Sequence, residues 1–226
     1  MENQFEAGLG DLRQKVLLMA SRAEAAVNDS VQALMQRNYD LALKVRAADD
    51  IIDQFEIEID ELALQLLTKA PLASNLRLVT VAMKVSQNLE RIGDEATKIA
   101  KRACDLSQEP PVKIVLDLPR LAGMALAMVK DALDALVQRD SAAARAIVPR
   151  DRQVDALNRE MHAALAQHMM EHPDTISRCL HWIVAAKSLE RIADHAKNIA
   201  EEVVYLCEAQ DIRHNVKKPA ATPLNQ

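Results

Sequence analysis

Glycine occurs four times in 226 residues and aromatic side chains make up 2% of the chain. So little glycine leaves few positions for tight hairpin turns, and no glycine-rich phosphate loop can be written. The clustered Val, Ile, Thr and aromatic runs that mark strands are missing. The three cysteines, Cys104, Cys179 and Cys207, are scattered and form no CxxC pair. That excludes a disulfide framework and a thiolate zinc site, and leaves small buried or surface thiols in a reducing compartment. There is no excess of basic charge: the formal net charge is −5. Nucleic acid is therefore not expected as the main partner, because neutralising phosphates needs a basic face. The longest apolar stretch, Leu121–Val129, is far too short to span a bilayer. The first residues, with Glu2, Glu6 and Asp11, do not read as a signal peptide, so a cytoplasmic protein is expected. No nucleophile elbow, HExxH or Glu-x-x-His is present, which argues against an enzyme and in particular against a di-metal carboxylate oxidase.

What is abundant is helix-forming. Half the residues are apolar, and Ala, Leu, Glu, Gln, Arg, Lys and Met dominate. Breakers at Arg37–Asp40, Ala70–Asn75, Glu109–Pro111, Arg139–Ser141 and His172–Asp174 divide the chain. Six long helices are predicted, over 5–36, 40–69, 74–106, 117–138, 142–171 and 174–210. Ser74 and Asp174 are expected to be N-caps, and Pro149 predicts a kink or short break near Val148. In the third helix Val85, Leu89, Ile92, Ala96, Ile99 and Ala103 fall on one stripe; in the sixth Ala185, Leu189, Ile192, Ala196, Ile199 and Val203 do the same.

The chain is an internal duplication. Gln36-Arg37-Asn38 answers Gln138-Arg139-Asp140, and Asp49-x-x-x-Asp53 answers Asp151-x-x-x-Asp155, both at an offset of 102. Glu90-Arg91-Ile92-Gly93-Asp94 answers Glu190-Arg191-Ile192-Ala193-Asp194 at an offset of 100. The change of two falls in an interhelix loop, where length changes cost little. The fold class is therefore all-α: two tandem, pseudo-symmetric antiparallel three-helix bundles. The expected division is 1–109, 110–214 and a disordered tail, 215–226.

The repeated carboxylates carry the chemistry. Glu90 and Asp94 share one helix face, with Cβ atoms roughly 6 Å apart, where like charges repel. Lys98 and Lys101 are expected to compensate in part, and a cation more fully. The pair lies off the apolar stripe, facing solvent or a shallow groove. Asp49, Asp53, Glu56 and Asp60 form one acidic line on the second helix; Asp151, Asp155, Asn158 and His162 form the corresponding line on the fifth. Where these lines converge on Glu90/Asp94 and Glu190/Asp194, the hard oxygen donors suit iron, manganese or magnesium. A solvated acidic face is the plain alternative for any one pair, and matched pairs in both copies favour the metal.

These motifs, with the ending Val203-Val204-Tyr205-Leu206-Cys207 through Asp211-Ile212-Arg213-His214, resemble the PhoU family over residues 5 to 214. The resemblance implies a cytoplasmic, non-enzymatic regulator of phosphate uptake. It would act between the ATPase of the phosphate ABC transporter and the phosphate-sensing histidine kinase, as a dimer or higher oligomer, and would meet the membrane only through partners. It also implies metal ligation by Asp49, Asp53, Glu90, Asp94, Asp151, Asp155, Glu190 and Asp194. A metal-binding helical scaffold without kinase control is the alternative. The copies differ at Glu95/His195, Lys98/Asn198, Glu56/Asn158 and Asp60/His162, so their sites are expected to differ.

Overall fold

The computed structural model describes residues 2–68, 73–114 and 116–213. They form α1 (Glu2–Gln36), α2 (Tyr39–Ala47), α3 (Asp49–Leu67), α4 (Ala73–Ser107), α5 (Leu118–Gln138), α6 (Ser141–Ile147), α7 (Asp151–Glu171) and α8 (Ile176–Glu208). Single 3-10 turns, Val148–Arg150 and Pro173–Thr175, precede α7 and α8. No strand occurs among the described residues. The tail expected over 215–226 lies outside them, as does most of the break before α4.

Two of the six predicted rods are each broken once, at equivalent places. The break after α6 is the one Pro149 predicts, a 3-10 turn that ends at Arg150. The break between α2 and α3 was not expected from the sequence. Ala48 sits at φ −92°, ψ −4°, and its N–H reaches both Lys44 O and Val45 O. Both breaks fall immediately before the first carboxylate of each acidic line, Asp49 and Asp151.

The loops after α1 and α5 are built alike. Arg37 (φ 54°) and Arg139 (φ 53°) are left-handed. The N–H groups of Asn38 and Asp140 return to Ala33 O and Ala135 O, a Schellman closure. The next residue then starts the following helix: Asn38 Oδ1 accepts from Leu41 N at 3.0 Å, and Asp140 Oδ1 from Ala143 N at 2.9 Å. These are the N-caps. Ser74 lies inside α4, and Asp174 lies in the 3-10 turn, where it accepts from Arg178 instead of capping α8. Asp140→Ala should cost about 1 kcal/mol of stability, read as a shift in the urea midpoint at unchanged slope.

Both predicted stripes are buried, and every member is at most 1% exposed. They belong to α4 and α8, which pack against each other antiparallel, as the pairs Lys84–Glu202, Asn88–His195 and Glu95–Arg191 show. The polar pairs along this seam obey a pseudo-twofold exchange. Asn88 Oδ1 lies 3.0 Å from His195 Nδ1, and at the exchanged position Glu95 bonds Ser188. The two three-helix units thus stand side by side and share one continuous core.

Candidate metal centre

In the first repeat, α3 delivers Asp49, Asp53 and Glu56 to the flank of α4 that carries Glu90 and Asp94. α3 packs directly over position 93, a glycine. A Cβ there would meet Ile52 Cδ1 at 2.9 Å and stand 3.7 Å from Asp49 Oδ1. Glu90 and Asp94 are half-buried in the groove this creates, rather than facing open solvent.

The electrostatics are those of an anion cluster short of counter-charge. Burial raises the pKa of Asp49, and the charges of Asp53, Asp94 and Asp50 add to it against a hydrogen bond with Thr97. Burial also raises Asp53, helped by Asp94 and Asp50. Glu56 is raised by burial and by Asp60. Glu90 is pushed up to about 6 by burial first and by Asp94 next. The compensating cation is Arg91, with Nε 3.2 Å from Glu90 Oε2 and Nη1 3.3 Å from Asp94 Oδ2. Lys98, expected in that role, turns to Glu95 at 2.9 Å. Glu90 Oε2 is buried and makes no hydrogen bond, its contact with Arg91 being an ion pair alone. Hard oxygens in excess of positive charge fit a divalent cation. The fit is one of donor chemistry: among the described residues, no three His, Cys, Asp or Glu side chains are already gathered around one point.

The second repeat is placed the same way and charged differently. Asp151 opens α7 and is buried, and Glu190 and Asp194 lie on α8 beside it. Lys197 Nζ stands 2.7 Å from Asp151 Oδ2 and 2.7 Å from Asp194 Oδ1, bridging the two helices. Lys187 Nζ stands 2.5 Å from Glu190 Oε2. Asp155 is half-buried on the same face of α7. Asp151 Oδ1 and Glu190 Oε2, and further along that face Asn158 Oδ1 and His162 Nε2, are buried without a hydrogen bond. A divalent ion does not fit between Asp151 and Asp194 as they stand, because an ammonium already holds both.

Between the repeats lies a polar groove lined by Arg91, Glu95, Lys98, Arg191, Asp194, His195 and Asn198. Glu95 is 4% exposed yet charged. Burial alone would raise its pKa, but bonds from Lys98, Ser188 and Arg191 outweigh burial and hold it below the usual range. Arg191 therefore serves Glu95 across the seam, 3.1 Å away, whereas its counterpart Arg91 serves the metal-candidate pair on its own helix. The sequence singles out neither Glu95 nor Lys197 as a site residue. The signal for Lys197 is its counterpart Thr97, an uncharged residue replaced by a cation at the same step of the repeat.

Comparison with known proteins follows the same duplication. The PhoU domain model matches residues 16–103 and again 118–203. The chain is 41% identical over 216 residues to the phosphate-specific transport system accessory protein PhoU homolog of Pseudomonas aeruginosa, covering 95% of this chain and 89% of that one. It is 34% identical over 215 residues to the phosphate-specific transport system accessory protein PhoU of Escherichia coli, covering 95% and 89%. The crystal structure of PhoU from Pseudomonas aeruginosa superposes with a TM-score of 0.87 at 42% identity, covering 91% of this chain and all of that one. The crystal structure of the phosphate transport system regulatory protein PhoU from Streptococcus pneumoniae gives 0.82 at 25% identity, covering 93% and 100%. With the domain present twice, the same fold in these structures and identity carried along nearly the full length, the chain belongs to the PhoU family.

Proposed function

We propose that this chain is a cytoplasmic, non-enzymatic adaptor of the phosphate transport system. It links the ATPase subunit of the phosphate ABC transporter to the phosphate-sensing histidine kinase and restrains the starvation response when phosphate is plentiful. The observation that carries this reading is near-full-length identity to proteins named as phosphate-specific transport system accessory proteins. The surface supports an adaptor role. No described helix is long and apolar enough to cross a membrane, so membrane association would come through partners. Along the start of α8, Ile176, Leu180 and Val184 are exposed in one line, at 42%, 50% and 41%. An apolar line at this spacing suits packing against another helix, including that of a second copy in a homodimer.

In the same reading, Asp49, Asp53, Glu90 and Asp94 hold iron, manganese or magnesium, which would supply the positive charge this groove lacks. With Asp49 and Asp53 on α3 and Glu90 and Asp94 on α4, ligation would tie the two helices together and lower the negative charge presented to partners, while Arg91 steadies the pair on α4. The test is co-purification of the tagged chain from membranes of phosphate-replete cells. Recovery of both the transporter ATPase and the kinase is expected. Recovery of the ATPase alone would favour a transport accessory without kinase control, and recovery of neither would contradict the adaptor.

A further inference from the structure

The two repeats have solved the same electrostatic problem in different ways. At four positions around the carboxylates the second repeat is the less negative, while Lys98, matched by Asn198, runs the other way but serves Glu95. Gln87 is matched by Lys187, Thr97 by Lys197, Glu56 by Asn158 and Asp60 by His162. The placement of these residues makes the difference specific. Lys197 reaches the first carboxylate of α7 and the last carboxylate of the α8 motif at once, 2.7 Å from each. Lys187 takes the remaining motif carboxylate, Glu190, at 2.5 Å. The corresponding first-repeat residue, Thr97, offers Asp49 a hydroxyl and no charge.

We infer that Asp151, Asp155, Glu190 and Asp194 are not a metal centre in this chain, and that Lys197 and Lys187 are the resident cations of Asp151, Asp194 and Glu190, held where a divalent ion would have to stand. An ammonium bridging two carboxylates supplies the inter-helix tie that a shared ion would supply, without depending on ion availability. Asp151 is 9% exposed, and an unpaired carboxylate at such depth would be costly. The chain therefore presents one metal-responsive face, on the first repeat, and one face of fixed charge, on the second. This inference rests on the first-repeat metal reading for its contrast, and its own test is separable from it.

The test is a Mn2+ titration of the chelator-treated full-length chain, with bound ions counted by calorimetry and helix content followed by circular dichroism. Wild type and Asp151→Asn/Asp194→Asn should bind the same number of ions. Lys187→Gln/Lys197→Thr, which carries the first-repeat residues, should bind more, and the gain should vanish when Asp151→Asn/Asp194→Asn is added. Lys197→Thr alone should melt at a lower temperature in chelator and recover with Mn2+, which keeps the question open to measurement if the double variant folds poorly. Fewer ions on Asp151→Asn/Asp194→Asn than on wild type would overturn the inference. So would the absence of both the extra ion and the Mn2+ recovery. If instead Asp49→Asn/Asp94→Asn binds as many ions as wild type, the first-repeat reading falls, and the gain in the lysine variants alone decides the inference about the second.

Discussion

Glu90→Gln should make the chelated protein more stable and the metal-loaded protein less so. Glu90 is folded at a cost: its pKa stands at about 6 against an ordinary 4.5, raised by burial, then by Asp94, with Glu56 and Asp53 adding to it and Arg91 offsetting part. The side chain is 14% exposed, so solvent screens this only partly. A group whose folded pKa is raised contributes stability that is fully present below its unfolded pKa and is lost as the pH rises through the folded one. Without metal, the wild type should therefore gain stability on acidification from about 6 to 4.5. Above that window the glutamine variant should be the more stable by roughly 1–2 kcal/mol, and below it the two should converge. With Mn2+ the order reverses, since the variant has lost a charged ligand and should bind about tenfold more weakly or worse. Ions that bind only the folded state stabilise it by about 2.7 kcal/mol at a hundred times the dissociation constant. Urea titrations across this range, with chelator and with Mn2+, check both signs. A variant that is neutral in all conditions would return these carboxylates to an ordinary solvated face.

Ile92→Ala should have the largest effect of any single truncation considered, about 2–5 kcal/mol. Ile92 is fully buried midway along α4, the helix that packs on α1, α3 and α8. It belongs to the core shared by both repeats, whose close packing lets a void relax only in part. Because the core is continuous, the loss should appear in one cooperative unfolding transition rather than in a first-repeat phase alone. Ile57→Ala on the outer face of α3, where the side chain is 52% exposed, should change stability by no more than about 0.5 kcal/mol. Far-UV dichroism and a single-tryptophan signal from Trp182, a second-repeat residue packed against the core, should give coincident curves.

The helical frame and its duplication were legible because they depend on short-range pattern. The α4 and α8 stripes repeat every three or four residues, and prolines mark the major breaks. The break at Ala48 has no such marker. Its sequence is a good helix former, and the interruption is visible only once α3 is seen turning its Asp49 toward α4. The caps at Asn38 and Asp140 were hidden in residues that also read as loop punctuation, since each ends one helix and begins the next. Spacing along single helices found the carboxylate pairs, because residues four apart must share a face. It could not find the counter-charges that cross between helices. Lys197 meets Asp151, 46 positions away, and Arg191 meets Glu95, 96 positions away. Lys98, the natural local partner for Glu90 and Asp94, goes to Glu95 because that carboxylate is the more deeply buried and needs the pairing more.

The adaptor reading makes one demand on the living cell. In a strain lacking this chain, a phosphate-starvation reporter should be expressed even with phosphate plentiful, and restoring the chain should silence it. A reporter that stays silent in the deletion strain at high phosphate, while still responding to starvation, would contradict the proposed restraint.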